Sequence, residues 1–177
     1  GLVQQNPEAQ FCTLTVEDEV AFGLENRCLP RDEIRERMDW ALDVVGARHL
    51  MGRTLTTLSG GEKQKVAIAA MMAAKPQVLI FDEPTSNLDP TATANVFEVI
   101  ARIRERARLT VIVIEHKTDY LQEFATQWVR MEDGQISKTA EQQSGKAAHG
   151  PSGKMGNAGL AHPATRSTPH ASSNTTE

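Results

Sequence analysis

Two short runs of this 177-residue chain are apolar at every position, Val78-Leu79-Ile80-Phe81 and Val111-Ile112-Val113-Ile114. Runs of that length without polar alternation predict strands buried on both faces, as in a parallel sheet. Between them the period changes. Val96, Phe97, Ile100, Ile103 and Ala107 share one side of a helix that starts with Asp89 as N-cap and Pro90 at the first position and runs to about Arg106. Strand, helix, strand predicts a right-handed crossover, so 78–82 and 111–115 lie parallel in one sheet. Asp82 and Glu83 then share an edge with Glu115 and His116.

Upstream the pattern is helical. Leu2-Val3 reads as the tail of a strand and Asn6-Pro7 as a turn. Thr15-Val16-Glu17-Asp18 is a capping-box pattern opening a helix to about Asn26. After Pro30, Ile34, Met38, Ala41, Leu42 and Val45 form one apolar face, with Gly46 as C-cap. Ser59 followed by Glu62 is a second capping box, starting an alanine-rich helix at Gly60 that Pro76 stops. Lys63 and Lys65 in its first turns read as solvent-facing. Downstream, Lys117 to Phe124 reads as a short helix. Trp128 to Met131 and Gln135 to Lys138 flank Asp133-Gly134 as a hairpin. The segments are therefore 1–11, a helical unit over 12–57, an α/β part over 58–138, and a tail over 139–177. The tail has no aromatic residue and too little apolar content to offset its ordering entropy, which predicts disorder.

Composition narrows the classes. A net charge of −4 gives no basic face to expect nucleic acid. Cys12 and Cys28 have no metal-ligand spacing and read as free thiols. His149, His162 and His170 are dispersed, and Gly153-Lys154 lacks the spacing of a phosphate loop. Val66 to Ala74 is the longest apolar stretch, well short of the roughly 20 residues a membrane helix needs. The first residue is Gly1, which suggests that the native start of the gene product lies upstream.

The candidate chemistry sits between Leu58 and Pro90. Gly60 and Gly61 leave a helix N-terminus bare, where backbone N–H groups and the dipole suit a phosphate. Asp82 and Glu83 stand at the C-terminal end of a strand, where open α/β sheets bind ligands. One carboxylate there can hold Mg²⁺ and the other can orient a water. Each feature alone is common, since Ser-x-x-Glu is usually only a cap. Together, one helix apart and followed by Ser86-Asn87-Leu88-Asp89, they are specific.

With that order and spacing the stretch resembles the nucleotide-binding domain of ABC (ATP-binding cassette) ATPases: Leu58 to Glu62 as the signature motif, Val78 to Asp82 as Walker B, Ser86 to Asp89 as the D-loop. The wording QNPEAQF…TVEDEVAFGLEN is most similar to the ATPases of energy-coupling-factor and cobalt or nickel importers. The resemblance implies a partial P-loop NTPase-like α/β sheet with a helical subdomain, ATP and Mg²⁺ as cofactors, and ATP hydrolysis that powers transport. It places Asp82 on Mg²⁺, Glu83 as the water-orienting base, His116 on the γ-phosphate, and Gln5 on Mg²⁺ as the Q-loop glutamine, with Gln4 as the alternative register. Ser59, Gly60, Gly61 and Glu62 would face ATP held by a second ABC ATPase subunit, and Asp89 would communicate across that dimer. A transmembrane subunit would dock at the Q-loop and helical unit, placing the chain on the cytoplasmic face of the membrane. The pattern departs from the family in one respect: no Gly-x-x-x-x-Gly-Lys-Ser/Thr occurs in the 177 residues. The chain thus reads as the C-terminal part of such a domain, with Ile80 and Ile112 at an uncovered sheet edge. Two other readings stay open: a fragment that acts only as a binding partner, and a soluble ABC ATPase not linked to transport.

Overall fold

The computed structural model describes residues 1–116, 118–122 and 125–141, all within the compact unit Gly1–Gln142. Its centre is a three-stranded parallel sheet in the order β1 (Leu2–Val3), β2 (Val78–Asp82), β3 (Thr110–Ile114). The β2–β3 register sets Ile80 opposite Ile112 and Asp82 opposite Ile114, and β1 adds Leu2 beside Ile80. The crossover from β2 to β3 is helix α4 (Pro90–Arg106), capped by the Asp89 carboxylate, which accepts from Ala92 N at 2.9 Å.

Neither strand is buried on both faces. The pleat sends Val3, Leu79 and Phe81 into the core, while Leu2, Val78, Ile112 and Ile114 are 44, 40, 45 and 52% exposed. Successive side chains alternate across a strand, and the described helices pack on one side only. The expectation of an uncovered edge at Ile80 is corrected in the same way. β2 is hydrogen-bonded on both sides, so Ile80 lies on a bare face, and only Ile112, on β3, is in an edge strand.

Three further helices lie on the covered side, two before the signature-like stretch and one starting within it. They are α1 (Val16–Glu25), α2 (Arg31–Val45) and α3 (Gly60–Ala73), and with α4 they bury Leu24, Leu42, Ile68, Met72 and Phe97 against Leu79 and Phe81. Gly46 closes α2 in the left-handed region at φ 68°, where glycine carries no Cβ penalty. The Thr15 cap of α1 is only half of a capping box. Asp18 N donates to Thr15 Oγ1 at 3.2 Å, but the Asp18 carboxylate accepts the Thr15 hydroxyl at 2.6 Å and does not reach back to the cap backbone. Aspartate is one methylene shorter than the glutamate that reaches back in a full box.

Beyond β3, a 3₁₀ turn at Thr118–Leu121 stands where a helix over 117–124 was expected; residues 117, 123 and 124 lie outside the described set. Tyr120 stacks on Phe97 of α4 with centroids 5.1 Å apart, which ties that turn to the core. The hairpin β4 (Gln127–Glu132) and β5 (Gln135–Glu141) turns at Asp133 and Gly134 with φ of 50° and 74°, as a two-residue I′ turn requires. Pairing of β5 continues through Thr139, Ala140 and Glu141, so the boundary expected at 139 falls inside a strand. Backbone hydrogen bonding to β4 extends it past the point where apolar content ends. The rest of the tail, with His149, Gly153-Lys154, His162 and His170, lies outside the described residues.

Candidate functional site

The C-terminal edge of the sheet is built by two strand ends. β2 stops at Asp82, whose side chain is exposed. Glu83 follows with φ 44°, and its N–H donates to Ile114 O at 2.9 Å, one hydrogen bond past the end of the regular ladder. A non-glycine residue in that region carries roughly 1–2 kcal/mol of strain, which persists only where surrounding bonds hold it. The result is to aim the Glu83 carboxylate across to the β3 side, where Oε1 lies 3.2 Å from His116 Nε2. Glu83 is 30% and His116 88% exposed, so the pair opens to solvent on the imidazole side.

Glu115 fixes the loop that carries His116. Its Oε1 accepts from His116 N at 3.0 Å and its Oε2 accepts from Thr85 Oγ1 at 2.9 Å. Thr85 is fully buried two residues after Glu83. One carboxylate therefore bridges the segment after β2 to the segment after β3.

The second cluster is the tip of α3. Ser59 N donates to Glu62 Oε2 at 2.8 Å and Glu62 N donates to Ser59 Oγ at 3.3 Å, a complete capping box. Arg53 braces it, donating to Glu62 Oε1 at 3.4 Å and to Thr57 O at 2.8 Å. The Ser59 backbone N–H holds the Glu62 carboxyl below its ordinary value of 4.5; burial opposes it as the next largest effect, and the Ser59 hydroxyl, Arg53 and His49 add to the lowering. Gly60 and Gly61 occupy the first two helical positions, whose N–H groups have no partner within a helix. Gly60 is exposed and Gly61 half-buried. A Cβ on Gly60 would lie 3.3 Å from Leu88 Cδ2, and one on Gly61 would lie 3.2 Å from Ala92 Cβ. The glycines thus also let the start of α4 come close. A groove of about 320 Å³ between the two helix starts is lined by Ser59, Gly60, Gly61, Glu62 and Asp89 among others.

Gln4 and Gln5 both follow β1 and are both exposed. The turn beyond them is pinned by Gln10, which accepts from Gln4 N at 3.2 Å and donates to Leu2 O at 3.1 Å. Gln5, not Gln4, lines a second groove of about 320 Å³ together with Gly60, Lys63, Pro84 and Leu88. Lys63 does not face solvent as expected. Its side chain is 17% exposed and ion-paired with Glu8, which joins α3 to the turn after β1.

Of the residues singled out by sequence, Glu83 and His116 are brought into contact, Gln5 and Gly60 share one groove, and Asp89 shares another with Ser59–Glu62. Among the described residues no hydrogen bond or ion pair joins the Glu83–His116 pair to the α3 tip. Nor do three His, Cys, Asp or Glu side chains converge on a metal site there. Sequence reasoning gave no role to Thr85, Glu115 or the Lys63–Glu8 pair. Only the polar identity of Glu115 beside an apolar strand could have flagged the first two.

The family profile described as ABC transporter matches residues 1–86, a span that holds Gln5, Ser59–Glu62, Asp82 and Glu83. The energy-coupling factor transporter ATP-binding protein EcfA1 of Streptococcus agalactiae is 42% identical over 165 residues, which are 93% of this chain and 58% of that protein. A putative ABC transporter ATP-binding protein of Methanosarcina mazei is 43% identical over 136 residues, 77% of this chain and 23% of its own length. Among solved structures, cbiO1 from Clostridium perfringens, part of the ABC transporter complex cbiONQ, superposes with a TM-score of 0.75 at 34% identity, covering 80% of this chain and 56% of that one. The chain thus spans little more than half the length of the EcfA1 and cbiO1 proteins it matches.

Proposed function

The chain belongs to the ABC transporter ATP-binding family, with likeness to EcfA and cbiO proteins, and from that premise we propose that it is the signature and Walker B part of the ATP-hydrolysing subunit of an energy-coupling-factor or cobalt-type importer. The observation that carries the reading is the Glu83–His116 pair, held at 3.2 Å on the sheet edge by a strained Glu83 backbone.

The residues present suit ATP and Mg²⁺. Asp82 and Glu83 offer hard oxygen donors at one strand end, and the exposed Gly60 leaves backbone N–H groups open at a helix start. Mg²⁺ is usually held by one or two carboxylates together with phosphate oxygens and water, so Asp82 at the end of β2, with Gln5 two residues past the end of the paired strand β1, would be a sufficient protein contribution. Bound Mg·ATP supplies the phosphoryl group and the charge compensation for its transfer.

Glu83 orients the attacking water and accepts its proton. His116 Nε2 faces the Glu83 carboxylate and holds it in that direction, and the exposed side of its ring would meet the γ-phosphate of bound ATP. Ser59, Gly60 and Gly61 present their tip to nucleotide on a second ABC ATPase subunit. Glu62 keeps that tip in shape, because its carboxylate is engaged by Ser59 N and Arg53. Asp89, capping α4 beside the same groove, links the tip to the dimer contact. A transmembrane subunit docks at the turn after β1 and the α1–α2 region, which holds the chain at the cytoplasmic face of the membrane; among the described residues no helix is long and apolar enough to cross one.

The test compares the chain alone with the chain fused behind a segment bearing Gly-x-x-x-x-Gly-Lys-Ser/Thr. Alone it binds ATP no tighter than about millimolar. The fusion hydrolyses ATP, and Glu83→Gln lowers its turnover by ~10²-fold or more with ATP binding retained. Near-normal turnover in that variant overturns the role of Glu83, and micromolar binding by the chain alone overturns the need for the loop.

A further inference from the structure

We propose that Glu115 is a positioning residue that sets the distance between Glu83 and His116 by clamping the two segments that carry them. The proposal rests on the ATPase reading for its purpose, but not for its geometry. Glu115 stands immediately after β3, where the sheet ladder has ended. There the strand ladder no longer holds His116, whose backbone carbonyl accepts from Thr118 N at 3.1 Å in the following turn and whose side chain is 88% exposed. The carboxylate supplies the missing constraint twice. Oε1 takes the His116 N–H at 3.0 Å, and Oε2 takes the Thr85 hydroxyl at 2.9 Å.

Thr85 is the other half of the device. It is 0% exposed, so its position is fixed by packing, and it lies two residues beyond Glu83 on the segment leaving β2. A carboxylate anchored on a buried hydroxyl is a fixed reference point for the exposed segment after β3. Bonds to a charged acceptor are also stronger than neutral ones, and Glu115 is half-buried, which limits competition from water. Two further ties stop on either side of it: Glu83 N on Ile114 O, and Tyr120 on Phe97. Glu115 connects directly to the His116 backbone and to the Glu83 segment at once. Aspartate would be a methylene short of spanning both, whereas glutamine keeps the length and one oxygen acceptor.

The experiment is nuclear magnetic resonance on the full chain without nucleotide, so a failed clamp and a failed ATPase reading give separate results. Amide exchange at His116, and the nuclear Overhauser contact between the His116 ring and the Glu83 side chain, are read in wild type, Glu115→Ala, Glu115→Gln and Thr85→Val. Wild type shows the ring contact and a protected His116 amide. Glu115→Ala loses the contact and lowers His116 protection about tenfold or more, while Val111 and Val113 keep theirs. Glu115→Gln restores most of the protection, and Thr85→Val, which leaves His116 N bonded, weakens the ring contact alone. Unchanged His116 protection and ring contact in Glu115→Ala overturn the proposal. So does an equal loss along all of β3, which marks a general structural role. If Glu115→Ala does not fold, an intact ring contact in Thr85→Val overturns it.

Discussion

Glu83 reaches His116 only because its backbone leaves the extended region: at φ 44° the chain turns sharply after β2, and the carboxylate lies 3.2 Å from the imidazole Nε2. Glycine would adopt that turn freely, and the pair with an 88%-exposed histidine contributes little stability. Glu83→Gly should therefore leave the chain as stable as wild type or stabilise it by up to about 1 kcal/mol in urea unfolding. The same substitution should abolish hydrolysis in the loop-bearing fusion. A loss of more than about 1 kcal/mol would mean that the glutamate is kept for folding rather than for chemistry.

The α3 tip should respond to its cap. Ser59→Ala removes the hydroxyl that accepts from Glu62 N and should cost about 1 kcal/mol, read from the urea midpoint. The reciprocal half depends on pH. Because the Glu62 carboxyl lies below its ordinary 4.5 in the folded chain, its contribution is complete above that value and is lost as pH falls through the lowered folded one. Glu62→Gln should flatten the acid limb of the stability profile on that interval by lowering stability at neutral pH towards the acid value. A wild-type acid limb that persists in Glu62→Gln would assign it to another group.

Burial on β2 and β3 should separate by face. Phe81 is fully buried and Phe81→Ala should cost about 3–5 kcal/mol, whereas Ile112, 45% exposed on the outer side, should lose no more than about 1 kcal/mol as Thr. Equal losses would show that the outer face is covered in solution.

That contrast marks where sequence reading stopped. The helices were legible because caps and period are local: Asp89-Pro90, Ser59 with Glu62, and Gly46 sit where the chain placed them. The parallel crossover was legible from two apolar runs around one amphipathic helix, and with it the shared edge of Asp82, Glu83, Glu115 and His116. What covers each face of a strand is not local. Val78 and Leu79 are equally apolar, yet one is 40% exposed and the other fully buried. The left-handed turn at Glu83 was likewise hidden, since no glycine announces it. Nor could spacing show that Glu115 bridges to a buried threonine across the sheet edge.

The bare face has a consequence for handling the chain. Leu2, Ile80 and Ile112 stand side by side across three strands, with Val78 and Ile114 on the same surface, and β3 is an edge. A contiguous apolar patch beside an unpaired strand edge favours association. Light scattering of the chain should rise with concentration through the micromolar range. Ile112→Lys with Ile114→Lys places charge on the exposed side of the edge strand and should suppress that rise. Because both side chains are about half exposed, circular dichroism and the urea midpoint should change little, by about 1 kcal/mol or less for each site. If the double variant scatters as strongly as wild type, association runs through another surface, with the exposed Val129, Met131 and Ile136 of the hairpin the next to be substituted.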